Sequence, residues 1–256
     1  MTGAWASCLA GVAVLAAGCV AAEHAEPRDP FEVLSTADAP AGTAVSAADL
    51  EPTAAGAATW EDVETGVRFE IRTDAGGASP GGAAPDAARA VRTDPADERT
   101  LLRAADGAVA MVSQRDRADG AVTAFDPPLE LAPATLEVGA EHRAESRAEV
   151  TRRAGGSTDH GRAVRTARLA AVDRIRTPLG TFDAPRVDVR FELEVPFAHL
   201  TRQTSTWIRP GEGPVAVRSE ERILVMRVVP RERRSIRVRV PGGTAPAAAT
   251  AGGSSR

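Results

Sequence analysis

The chain has 256 residues, a net charge of −4 and only 4% aromatic residues, with no Tyr. That length suits one substantial domain once unstructured ends are set aside, and the absence of a basic excess argues against nucleic acid as a partner. Lys and Asn are also absent, so all 31 cations are Arg; a GC-biased genome explains this more simply than a function does, and every cation is then a permanently charged planar fork.

Residues 1–18, MTGAWASCLAGVAVLAAG, form an apolar run of small residues. It is short for a bilayer span and has the length of a signal-peptide core. The run ends in Leu15-Ala16-Ala17-Gly18-Cys19, which resembles the lipobox of bacterial lipoproteins. The resemblance implies diacylglycerol on the Cys19 sulfur, Cys19 as the mature N-terminus, and an exported protein anchored in a bacterial membrane. Val20, where some inner-membrane lipoproteins carry Asp, favours the outer membrane in a host with two. An ordinary cleaved signal and a buried core helix are the competing readings. Cys8 would leave with the leader, so no thiol pair remains for a disulfide or a Cys-based zinc site.

Residues 19–58 are dominated by Ala, Pro, Thr, Ser, Glu and Asp without hydrophobic period. Such a stretch reads as a disordered linker behind the lipid, with local packing expected only at Phe31, Val33 and Leu34. Residues 241–256, PGGTAPAAATAGGSSR, read as a disordered tail.

Between them, residues 59–240 carry strand signals. In GVRFEIRTD, Val67, Phe69 and Ile71 alternate with Arg68, Glu70 and Arg72. In VDVRFELEV, Val187, Val189, Phe191, Leu193 and Val195 share one face, and Asp188, Arg190, Glu192 and Glu194 the other. SIRVRV sets Ile236, Val238 and Val240 against Arg237 and Arg239. Turn signals separate the runs: Asp106-Gly107, Asp119-Gly120, Pro178 with Gly180, and Pro210-Gly211 with Gly213. Glu137 to Arg153 lacks a helical apolar stripe and fits a polar strand as well as a helix. Residues 75–88 are Gly/Ala/Pro-rich and read as a surface excursion. The predicted fold is an all-β antiparallel meander, strongly curved or barrel-like.

Candidate catalytic groups are sparse. His24 lies in the linker, and His142, His160 and His199 lie on separate segments without metal-ligand spacing. Ser157, Asp159 and His160 crowd into STDHG, which reads as a Gly-containing turn rather than a triad. Glu192 and Glu194 belong to a solvated strand face; Glu220 and Glu221 form a second acidic pair. No Gly-rich phosphate loop opens a helix. Eight arginines between Arg218 and Arg239 read as outward decoration of the last strands. No catalytic residue, metal site or cofactor is assigned.

Two turn segments are more distinctive. TPLGTFDAPRV, Thr177 to Val187, and TWIRPGEGPVAV, Thr206 to Val217, would form hairpins that bring Phe182 and Trp207 to the same end of the sheet. At these residues the chain resembles the TapB-like family of exported bacterial β-proteins, a domain of unknown function. That family has a turn PAGTF-x-A-x-x-V and a later W-[YF]-x-P-G-[VI]-G-x-V; Leu179, Ile208 and Glu212 depart from it here. FDPPLELAP resembles the family's Pro-rich strand upstream, and the likeness covers about Phe125 to Val225. It implies an antiparallel, barrel-like sheet in the cell envelope and no known reaction.

The expected function is therefore that of a non-enzymatic envelope lipoprotein. Its β-domain would bind an apolar or amphipathic ligand, or a protein partner, at the membrane surface. Phe182, Phe191 and Trp207 are the candidate ligand-facing residues. The alternatives are an exported hydrolase using His160 or His199 with nearby carboxylates, and a structural or assembly component of the envelope. An open apolar cavity favours ligand binding; dense packing along Val187 to Val195 favours the structural reading.

Overall fold

The computed structural model describes residues 30–76, 88–118, 120–152, 156–226 and 229–242. The leader, Cys19, His24, most of the Gly/Ala/Pro-rich excursion and nearly all of the tail lie outside them.

The elements in chain order are β1 (Glu32–Ala37), β2 (Ala44–Ser46), α1 (Ala47–Leu50), β3 (Gly56–Asp62), β4 (Arg68–Ala75), β5 (Ala88–Thr93), β6 (Asp97–Arg103) and β7 (Val109–Asp116). They continue with β8 (Val122–Ala132), β9 (Thr135–Glu137), β10 (Glu141–Thr151), β11 (Thr158–Thr177), β12 (Gly180–Val195), β13 (Ala198–Arg209), β14 (Gly213–Val225) and β15 (Val229–Arg239). Neighbouring strands pair antiparallel in the order β11-β10-β8-β7-β6-β5-β4-β3-β15-β14-β13-β12, and β12 pairs back to β11. The result is a closed antiparallel barrel of 12 strands. Closure removes the free edges that a meander would leave. β1 pairs with the far half of β11, while β10 occupies the near half.

The hairpin signals are used as such. The β6–β7 turn is closed by Ala104 N–H donating to the Ala108 carbonyl at 2.9 Å, with Gly107 at φ 95°. The β11–β12 turn has Gly180 at φ 118°, and the β13–β14 turn has Gly211 at 79°. These are left-handed positions that favour glycine.

Period two sorts the strands into inner and outer faces. On β10, Arg143, Glu145, Arg147 and Glu149 are exposed, while Ser146, Ala148 and Val150 are buried. On β12 the apolar set separates from the charged set as the alternation predicts: Val187 and Val195 are buried, and Val189, Phe191 and Leu193 pack against the same core. No helix among the described residues is long and apolar enough to cross a membrane. The outward Arg and Glu rows also belong in water, because Arg at the middle of a lipid-facing barrel costs about 2–4 kcal/mol.

A β-bulge between Leu169 and Ala171 changes what β11 buries. Before it, Ala163, Arg165, Ala167 and Leu169 face the barrel core; beyond it, Ile175 belongs to a second cluster with Ala184, Trp207, Ala216, Val238 and Phe31. Odd-numbered residues from 163 to 177 are therefore buried along the whole strand, first inside the barrel and then on the side of the second cluster. A second bulge makes Val215 of β14 the extra residue opposite Trp207 and Ile208, which point by alternation into the second cluster and the barrel core respectively.

The segment read as disordered linker is ordered from Pro30 onward: β1, β2, α1 and the start of β3 all precede residue 59. Its apolar residues are few but well placed. Phe31 is 4% exposed and packs at a tilt against Trp207, ring centroids 4.7 Å apart; Val45, Ala47 and Leu50 join the barrel core. STDHG is not a turn either, since β11 begins at Thr158. Glu141–Thr151 is a strand rather than a helix.

Candidate ligand chamber

Side chains fill an 8-stranded barrel, and more strands enclose a wider lumen. Here α1 takes part of that space. Ser46 caps it by accepting from Asp49 N–H at 3.1 Å, and Asp49 accepts from Gly211 N–H of the β13–β14 turn at 2.8 Å. α1 thus lies at the end of the barrel where that turn sits, and Leu50 and Glu51 reach into the lumen. A cavity of about 250 Å³ remains, lined also by Asp94 and Ala96 of the β5–β6 turn and by Asp97 at the start of β6.

The cavity has two kinds of wall. Leu50, Met111, Leu131, Val189 and Phe191 supply an apolar arc, and Arg92, Arg99, Arg165 and Arg202 a cationic one. Strand register produces the juxtaposition: Arg165, Phe191, Arg202, Glu221 and Arg233 lie side by side across β11, β12, β13, β14 and β15.

Most of the lining cations are paired. Arg92 meets Glu51 at 3.0 Å, Arg99 meets Asp97 at 2.8 Å, Arg202 Nε donates to Glu221 at 2.7 Å, and Arg237 stands 3.7 Å from Asp94. Burial pushes the Asp97 carboxyl up, but the Arg99 guanidinium more than offsets this and holds it below its ordinary value, with Arg202 and Arg92 adding. Arg99 is held above its usual range: burial works against its charge, and Asp97 outweighs burial. Gln114 donates to the same Asp97 at 2.8 Å.

Arg165 differs. It is 4% exposed, its Nη1 is buried without a hydrogen-bond partner, and its guanidinium forms no ion pair with any described residue. Burial pushes its pKa down to about 10, with Arg99 acting in the same direction and Glu51 and Glu130 opposing. A fall of that size from the ordinary 12.5 corresponds to about 3 kcal/mol against the charged form.

Of the three residues expected to face a ligand, Phe191 lines the chamber, whereas Phe182 and Trp207 meet in the second cluster. The hairpin reasoning that places those two together agrees with this geometry; Phe182 is of opposite parity to Phe191 on β12 and Trp207 pairs with Arg186, so the alternation itself puts both on the other side of the barrel wall. Trp207 Nε1 donates to the fully buried Asp173 at 2.7 Å, and Arg186 donates to the same carboxylate oxygen at 3.0 Å. Arg209 lies 5.3 Å above the Phe182 ring.

The histidines do not converge on the chamber. His160 is 78% exposed beside Glu149 at 3.9 Å, His199 pairs in register with Glu194 and Leu224, and His142 stands 3.3 Å from Glu130. Asp159 is held by Arg152 at 2.7 Å. No group of three or more potential metal ligands occurs among the described residues. Within the C-terminal arginines, half-buried Arg237 lines the chamber rather than decorating the exterior, and exposed Arg233 borders it. Glu220 pairs outward with Arg234, and Glu221 inward with Arg202.

Arg165 and Arg202 carry the cationic wall, and sequence reasoning did not single them out. The available signal is phase: Arg165 shares its parity with Ala163, Ala167 and Leu169. It is a weak signal, because Val164 and Thr166 on the other parity read equally well as the inner set.

Comparisons with protein-family models, curated proteins and solved structures return no match.

Proposed function

We propose that this protein is a membrane-tethered, non-enzymatic binding protein that takes a small amphipathic ligand into its barrel. The observation that carries the reading is the mixed lining of the chamber: apolar residues around Phe191 beside paired and unpaired arginines. Ligand sites are usually apolar concavities with a few placed polar groups. The cavity of about 250 Å³ falls just below the range of about 300–1,000 Å³ typical of such sites. That size favours a short ligand, or one end of a longer one, over a whole diacyl lipid. The inward side chains Val189, Phe191 and Leu193 are only partly buried, which supports a binding lumen over a purely structural scaffold.

The tether belongs to the same proposal. The lipobox-like Leu15 to Cys19 supports lipidation of Cys19, and the TapB-like turn motifs agree with an envelope protein. The barrel's first strand, β1, begins at Glu32, close in sequence to Cys19, so a lipid there would hold the barrel close to the membrane surface.

One experiment reads both halves. Mass spectrometry of protein purified gently from host membranes should show a diacylglyceryl mass on a Cys19-terminated chain and a non-covalent small amphiphile lost on unfolding. An unlipidated chain overturns the anchoring; a lipidated chain with an empty lumen, still empty after incubation with short amphiphiles, overturns the binding.

A further inference from the structure

We propose that Arg165 is the anion anchor of the chamber, receiving a carboxylate or phosphate group at one end of the ligand. The inference rests on the lumen being a binding chamber, and adds the chemical class of what it binds.

A buried guanidinium ordinarily has carboxylate or carbonyl partners, because an unpaired charge removed from water is costly. Arg165 lines the chamber and has none among the described residues. Its surroundings explain why. The residues beside it in register are Ala144 and Phe191, and the inward residues before and after it on β11 are Ala163 and Ala167. None has a side-chain acceptor, and three are methyl-sized. Three of the nearby carboxylates are committed elsewhere, Glu51 to Arg92, Asp97 to Arg99 and Glu221 to Arg202, and Glu130 stands 3.3 Å from His142. A cationic ligand would meet Arg165 and Arg99 together and is disfavoured. A planar, unpartnered fork on the chamber wall suits two parallel hydrogen bonds to an oxyanion. Phe191, next to it in register, suits the apolar remainder of the ligand.

The test uses the full chain and four probes: octanoate, octyl phosphate, octanol and inorganic phosphate, with affinities measured by calorimetry. The first two should bind at least about tenfold more tightly than octanol, the scale of hydrogen bonds to a charged group. In Arg165→Met that preference should vanish while octanol still binds, which reports an intact lumen. Phe191→Ala should weaken octanoate, octyl phosphate and octanol alike and keep the preference for anions. Octanol binding as well as octanoate to the wild type, or an anion preference that survives in Arg165→Met, overturns the anchor and leaves the chamber reading standing. Binding of no probe overturns both. Arg165-dependent binding of inorganic phosphate equal to that of octyl phosphate keeps the anchor and removes the amphipathic ligand. Should Arg165→Met bind nothing, Arg165→Lys decides: it keeps charge without the fork and must retain an intermediate anion preference, and equal binding of octanoate and octanol would sink the anchor.

Discussion

Arg165 shows how one residue can be unfavourable for the empty fold and useful to a filled one. A lone buried cation destabilises the protein that carries it, and apolar replacement of buried charges is often neutral or stabilising by about 1–4 kcal/mol. The side chain sits among Ala144, Ala163, Ala167 and Phe191, so methionine can follow the same path without losing a partner. Ligand-free Arg165→Met should therefore melt higher than ligand-free wild type. A gain of about 2 kcal/mol in a domain of this size corresponds to a rise of about 4–8 °C. Differential scanning calorimetry in anion-free buffer reads it directly, and a lower melting temperature would mean that Arg165 has a stabilising partner in the empty protein. The paired lining residues should behave oppositely, because removing one member strands the other; Asp97, held by Arg99 and Gln114, is the clearest case.

At the scale of elements, the β-bulges decide which residues share a core. The alternation in β12 is legible from sequence because charged and apolar residues are cleanly out of phase. The hairpins are legible because their glycines stand where φ must be positive. The inner face of β11 is not, since GRAVRTARLAAV carries apolar residues on both parities and a bulge at Leu169 switches the buried face midway. Phe182 and Trp207 follow from alternation instead: hairpin geometry predicts their proximity, and their parity on the paired strands β12 and β13 turns both away from Phe191. The ordered β1 to α1 segment is hidden for another reason. Its apolar residues are spaced for packing onto surfaces made by distant strands, so no local period announces them. Close approach of elements matters as well. A Cβ on Gly161 would lie 1.9 Å from the Glu194 carbonyl oxygen of β12 and 2.7 Å from the Val195 side chain. Gly161→Ala should thus cost about 1–3 kcal/mol through forced backbone movement. Gly56→Ala, with nothing within 4 Å, should stay within about 0.5 kcal/mol of wild type. Urea titration of both variants checks this, and equal stabilities would contradict the packing of β11 on β12.

The whole molecule combines a charged exterior, a closed wall and a lumen that is part apolar and part arginine. Twelve strands give room that four-residue α1 and the long inward side chains only partly fill. The remaining space is what distinguishes a binding barrel from a solid one, so the central claim is that a ligand enters it. The methionines offer a direct probe, because they are only Met1, Met111 and Met226. Met111 is 4% exposed and lines the chamber, whereas Met226 is 75% exposed on the β14–β15 turn. With carbon-13 in the methionine methyls, titration with octanoate should move the Met111 resonance saturably and leave Met226 in place. Octanoate that binds while Met111 stays still, or that moves Met226 instead, would contradict a ligand inside the barrel.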